Sequence, residues 1–127
     1  ADETLIGVLL DNLLENARKH GGPDTPIRVE TNRDGSRAIL AVEDRGPGLS
    51  PHDASRVFQP FYRSDAARSR RIPGAGLGLA VVARIAQVLH GTAHVATPRT
   101  PGCRIEIYLP LAVTSDAPGM MAASSVQ

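Results

Sequence analysis

Two stretches of alternating polarity, each turned back on itself by a glycine-containing link, constrain this chain more than anything else in it. Residues 27–33 (IRVETNR) and 37–44 (RAILAVED) alternate on either side of DGS, and 92–97 (TAHVAT) and 103–110 (CRIEIYLP) flank PRTPG. Alternation with period two sends successive side chains to opposite faces, so each pair reads as an antiparallel hairpin. A sheet with one apolar face has to be covered, and two helical patterns supply the cover. Residues 3–20 place Ile6, Leu10, Leu13 and Ala17 at helical spacing and stop at HGGP. Residues 77–90 (LGLAVVARIAQVLH) form a mostly apolar helix, and a shorter one is expected near 51–57. Helix, hairpin, short helix, loop, helix, hairpin predicts an α+β fold: a two-layer sandwich with helices on one face of a mixed, mostly antiparallel sheet.

Length and composition narrow the function classes. The 127 residues are the size of one domain. We place it at 1–111 and expect residues 112–127, small and polar with no period, to be a disordered tail. Aromatic residues make up only 3%, so the core must be aliphatic. A net charge of +1 gives no bulk attraction to anionic polymers or lipid, and no nucleic-acid partner is expected. Cys103 is the only cysteine, which excludes an internal disulfide and a cysteine-based zinc site. No apolar run reaches the roughly 18 residues of a membrane span, and no signal peptide is visible. A cytosolic segment is the expectation, and its abrupt opening on a helix points to a piece of something larger.

Four segments carry candidate chemistry. At 100° per residue, Asn12, Asn16 and Lys19 form a stripe with His20 at its edge, while Asp11, Glu15 and Arg18 form a solvent face. Isolated asparagines often bond only loops or water. Four polar groups in one stripe point further: amide oxygens ligate a hard cation such as Mg²⁺, and a lysine adds charge for phosphates. In VEDRGPGL, Asp44 ends a strand ahead of Gly46 and Gly48. Such a carboxylate can accept from an exocyclic amine while glycines let a flat ring approach, although an ordinary glycine turn looks the same. GAGLGLA sets Gly74, Gly76, Leu77 and Gly78 at the opening of a helix, where backbone N–H groups bind phosphate. It lacks the features of a P-loop or a dinucleotide fingerprint. Last, VFQPFYRSD gathers Phe58, Phe61 and Tyr62 beside Arg63, at the entrance to a loop at 59–75 with few apolar positions. Phe58 and Phe61 either fill a satellite core or anchor a lid whose arginines reach a ligand.

In this order the segments resemble the catalytic, ATP-binding domain of two-component sensor histidine kinases, within the Bergerat-fold group of gyrase, MutL-type proteins and heat-shock chaperones. DNLLENARKH is similar to the family's N box, EDRGPG to its G1 box, FQPF to its F box and GAGLGL to its G2 box. The resemblance covers about residue 5 to Pro110. It implies ATP held between sheet and a mobile lid at about 62–76. Asn16 would coordinate Mg²⁺ with Asn12 in support, Lys19 and His20 would lie by the phosphates, and Asp44 would bond adenine N6. Gly46 and Gly48 would shape the base pocket. Phe58, Phe61 and Arg63 would join the nucleotide site, and Gly74, Gly76, Leu77 and Gly78 would hinge the lid and donate to phosphate. The chain departs from the pattern at His20 (commonly Tyr), Arg45 (often Asn) and Cys103 (often Thr), and the strand that precedes the family's first helix is hardly hinted at. Cys103 reads as a small buried filler.

Three activities compete: histidine kinase, self-sufficient ATPase or serine kinase, and degenerate nucleotide-binding module. In the hydrolysing relatives a glutamate general base stands four positions before the metal-binding Asn; here that position is Asn12, and an amide takes no proton at neutral pH. Glu15, read as solvent-facing, does not substitute. None of the four histidines sits in the family's phosphoacceptor setting, H-[ED]-x-x-[TN]. The resemblance therefore implies an acceptor histidine in a dimerisation domain elsewhere, a response regulator downstream, a monomeric segment within a homodimeric protein, and a cytoplasmic position in a membrane sensor.

Overall fold

The structure, a computed structural model, describes residues 3–22, 24–64, 76–97 and 101–111. Most of the expected lid with Gly74, part of the second hairpin's turn and the expected tail lie outside the described residues. Helix α1 spans Glu3–Gly21, followed by strands β1 (Arg28–Asp34) and β2 (Arg37–Glu43). A one-turn helix α2 (Pro51–Ala54), helix α3 (Gly78–Val88), and strands β3 (Thr92–Ala96) and β4 (Arg104–Pro110) complete the order.

The four strands form one sheet in the order β1-β2-β4-β3. All three pairings are antiparallel, in keeping with the mostly antiparallel sheet expected above, and no parallel pair occurs among the described strands. β2 and β3 do run in the same direction, but the second hairpin inserts β4 between them, so they never pair. The register sets Val42 opposite Ile105 and Leu40 opposite Ile107, and Val42, Ile105, Ile107 and Leu109 are buried under the helices. Glu43, Arg104 and Glu106 alternate onto the other face.

α1 and α3 lie together on the apolar face. α3 contributes Leu79, Val82, Ile85 and Ala86, a spacing of three and four that makes one continuous stripe. In α1 the fully buried positions are Leu9, Leu13 and Ala17, whereas Ile6 and Leu10 are only partly covered. The buried stripe is thus turned toward the asparagines relative to the sequence reading. The i, i+4 row of Leu9, Leu13 and Ala17 packs on the sheet, and Asn12 and Asn16 come to its rim. α2 is capped by Ser50, whose Oγ accepts from the Asp53 N–H at 3.1 Å, with Pro51 in the first turn. Asp53 is buried and accepts a hydrogen bond from the Tyr62 hydroxyl, which ties the segment after α2 back to it. Among the described residues no helix is long and apolar enough to cross a membrane.

Candidate functional site

A cavity of about 370 Å³ opens where four pieces of chain meet: one flank of α1, the loop after β2, the segment through Tyr62 and Arg63, and the start of α3. Asn12, Asn16, Lys19 and His20 line the α1 wall, so the polar stripe faces the cavity as a unit. Asn12 Nδ2 donates to the Val8 carbonyl at 2.9 Å, one helical turn back. That bond fixes the amide nitrogen on the helix side and leaves the oxygen for other work. A Cβ placed on Gly78 would lie 3.5 Å from Asn12 Oδ1, so this oxygen is turned toward the first residue of α3. The Asn16 side chain has no hydrogen-bond partner among the described residues.

Across the cavity stands Asp44, the residue after β2 and only 3% exposed. Its Oδ1 accepts the Gly46 N–H at 2.8 Å and the Cys103 N–H at 3.3 Å. Its backbone N–H donates to the Cys103 carbonyl at 2.9 Å. Both donors converge on one oxygen, and Oδ2 has no hydrogen bond among the described residues. Burial pushes the Asp44 carboxyl above its ordinary value, while the two N–H donors and the nearby His20 pull it down. The turn requires glycine at position 46, because a Cβ there would meet the His20 carbonyl oxygen at 2.3 Å. That close approach binds the end of α1 to the loop carrying Asp44.

Gly76, Leu77 and Gly78 line the end of the cavity at the start of α3. No side chain caps this helix, so its first N–H groups face the opening without a side-chain acceptor. Gly76 adopts φ +76° and packs against the backbone of Tyr62, where a Cβ would come within 2.6 Å of the carbonyl oxygen. Its own carbonyl accepts the Phe61 N–H at 3.0 Å. The two ends of the chain flanking residues 65–75 are therefore clasped together.

Gly48 and Arg63 lie on the cavity wall, while Gly46 stands behind Asp44 and acts through it. Phe58 and Phe61 are not among the residues that line the cavity. Phe58 packs partly buried against the core, and Phe61, at φ +66°, is 70% exposed. Gly74 lies outside the described residues. Glu15 keeps the solvent exposure expected of it, its side chain 46% exposed, but it also edges the cavity, and its carboxylate pairs with Arg18. At 100° per residue it lies only about 40° from Lys19, a neighbourhood that sorting by charge alone hides. Cys103 was read as filler and is buried, but it also lines the cavity. Burial, then the charges of Asp44 and Glu43, push its thiol up to about 12, so it is a neutral wall. Leu49, Val57 and Leu79 add an apolar lining, and only the tertiary fold brings them together. An apolar slot with one buried carboxylate, an amide stripe, a lysine and an uncapped helix start can hold a flat base at one end and phosphates with a hard cation at the other.

The family model described as "Histidine kinase-, DNA gyrase B-, and HSP90-like ATPase" matches residues 1–113. The chain is 40% identical over 112 residues to the sensor protein RstB of Escherichia coli K12, covering 87% of this chain and 25% of that protein. It therefore spans about a quarter of that relative's length. Among solved structures, a mycobacterial sensor histidine kinase, MprB, superposes with a TM-score of 0.77 at 35% identity, covering 87% of this chain and 74% of that one. Full-length ShkA in complex with AMPPNP superposes at 0.72 with 31% identity, covering 87% and 22%. The chain belongs to the histidine kinase-, gyrase B- and HSP90-like ATPase family, as a catalytic ATP-binding domain of the sensor histidine kinase type.

Proposed function

We propose that this domain binds Mg-ATP in the cavity and presents its γ-phosphate to a histidine of a dimerisation domain outside this segment. One observation carries the reading: Asn12, Asn16 and Lys19 share a wall facing both Asp44 and the uncapped start of α3. The buried Asp44 carboxylate would accept from the adenine N6 amine, with Leu49, Leu79 and Cys103 against the ring. Lys19 would place point charge on the phosphates, and the N–H groups of α3 would donate to their oxygens. His20 and Arg63 would add to that polar end.

The donor set fits Mg²⁺. Among the described residues no group of His, Cys, Asp and Glu could hold a metal, so what this site offers is neutral amide oxygen. Mg²⁺ takes few protein ligands and keeps positions for phosphate oxygens. Asn16 would hold it, supported by Asn12, whose amide nitrogen is fixed on the helix side; the ion would supply neutralisation of phosphate charge. The acceptor imidazole would attack the γ-phosphorus in line and the β–γ bridging oxygen would leave with ADP. This chain's own contribution would be alignment and charge, with no proton for it to remove. In the intact protein the phosphoryl group would pass to a response regulator, the domain would work as one half of a homodimer, and it would sit on the cytoplasmic side of a membrane sensor.

Glu15 gives the hydrolytic reading a specific foothold, as a carboxylate on the cavity wall. Its pairing with Arg18 and its place beside Lys19 rather than Asn12 weigh against a role as general base. Labelled ATP supplied to the domain alone, and with its upstream helical domain in trans, separates the activities. The kinase reading predicts negligible turnover alone and acid-labile, base-stable label on the helical domain. Brisk turnover alone that vanishes in Glu15→Gln would replace it with the hydrolytic one.

A further inference from the structure

The helix-free face of the sheet carries a charge cluster whose members do not line the cavity. Its centre is Arg104, at the start of β4 and 8% exposed. Nη1 lies 2.7 Å from Glu30 Oε1 on β1 and 3.1 Å from Glu43 Oε1 on β2, and Nε lies 2.9 Å from Glu106 Oε2 on β4 itself. A single guanidinium thus spans three strands. Burial alone would lower its pKa, but the three carboxylates outweigh burial and raise it. Buried ion clusters of this sort are commonly no more stabilising than apolar residues of the same volume, so stability is a weak explanation for one here.

Its position in the ladder explains it better. Glu43 pairs directly with Arg104, and the next pair beyond them is Asp44 with Cys103. That last pair has left the regular strand. It is held by the Asp44 N–H to Cys103 carbonyl bond at 2.9 Å and the Cys103 N–H to Asp44 Oδ1 bond at 3.3 Å. Both residues line the cavity. Slippage of β4 against β2 at Glu43 and Arg104 would open the second of these bonds first and free the Asp44 carboxylate to rotate. We propose that Arg104 is a positioning residue for base recognition, clamping Glu43 on the far face of the sheet so that the Asp44 carboxylate keeps its orientation on the cavity wall. This rests on the reading of Asp44 as the acceptor for the base's amine.

The test compares affinities of the domain for ADP and for IDP, whose base lacks the exocyclic amine, by calorimetry. Asp44→Ala should remove most of the preference for ADP; if it does not, the reading of Asp44 falls. With Asp44 upheld, Arg104→Met should cut the ADP-over-IDP ratio about 3- to 10-fold through the loss of a well-aligned charged acceptor, with IDP affinity within about twofold of wild type. A merely structural role would weaken both nucleotides alike and leave the ratio unchanged, and that result overturns the proposal. Should Arg104→Met not fold by circular dichroism, the isosteric Glu43→Gln is read by the same criterion: a lowered ratio supports the clamp and an unchanged one overturns it.

Discussion

Asp44 serves folding and binding with opposite signs. Burial raises its carboxyl pKa above the ordinary 3.8, so on acidification the folded chain takes up this proton before the unfolded chain does. As pH falls through the raised native value toward 3.8, the group's destabilising contribution is relieved and folding gains from it. Binding loses, because a protonated carboxyl is a poorer acceptor for the base's amine. The preference for ATP over GTP should therefore fade on acidification while Asp44's contribution to the fold improves. Asp44→Ala should lose about 10- to 150-fold of that preference at neutral pH, the worth of a hydrogen bond to a charged group, and its remaining selectivity should not vary with pH. Affinity for the two nucleotides across pH, in wild type and variant, checks both statements; a variant that still discriminates removes Asp44 from base recognition.

α1 divides its labour by face. Leu13 is 1% exposed on the core side, and Asn12 and Asn16 stand on the cavity side of the same turns. Leu13→Ala should cost about 2–5 kcal/mol in urea unfolding while the folded fraction keeps its nucleotide affinity within about twofold. A selective loss of affinity would mean that the faces are not separable. Much of this was legible in the sequence, since both long helices and all four strands announce themselves by period, with ends within a residue or two of the expected ones. The rotation of α1 was not. Leu9, Ile6 and Leu10 are equally apolar, and only the sheet beneath chooses Leu9. Glu15 keeps the solvent exposure its charge suggests, and only the tertiary fold shows that it also edges the cavity. Phe58 and Phe61 stand out in the sequence by their rarity, and in the fold one packs on the core and the other is exposed.

At the scale of the whole molecule, the site is where distant segments converge. Asp44 meets Cys103 across 59 positions, and Arg104 reaches Glu30 across 74. Motif spacing marked the polar residues of the cavity, because each follows a local rule of helix face, strand end or glycine turn. The apolar wall and the guanidinium clamp follow no local rule and became visible only with the order β1-β2-β4-β3. At that convergence, on the proposed function, the amide stripe of α1 would hold a cation against a nucleotide bound opposite it. Calorimetric titration of wild type and Asn16→Ala with ATP, each with and without Mg²⁺, tests it most directly. Mg²⁺ should strengthen wild-type binding by about tenfold or more, and Asn16→Ala should keep its fold and its metal-free affinity but lose this gain. The same Mg²⁺-dependent gain in Asn16→Ala would contradict it.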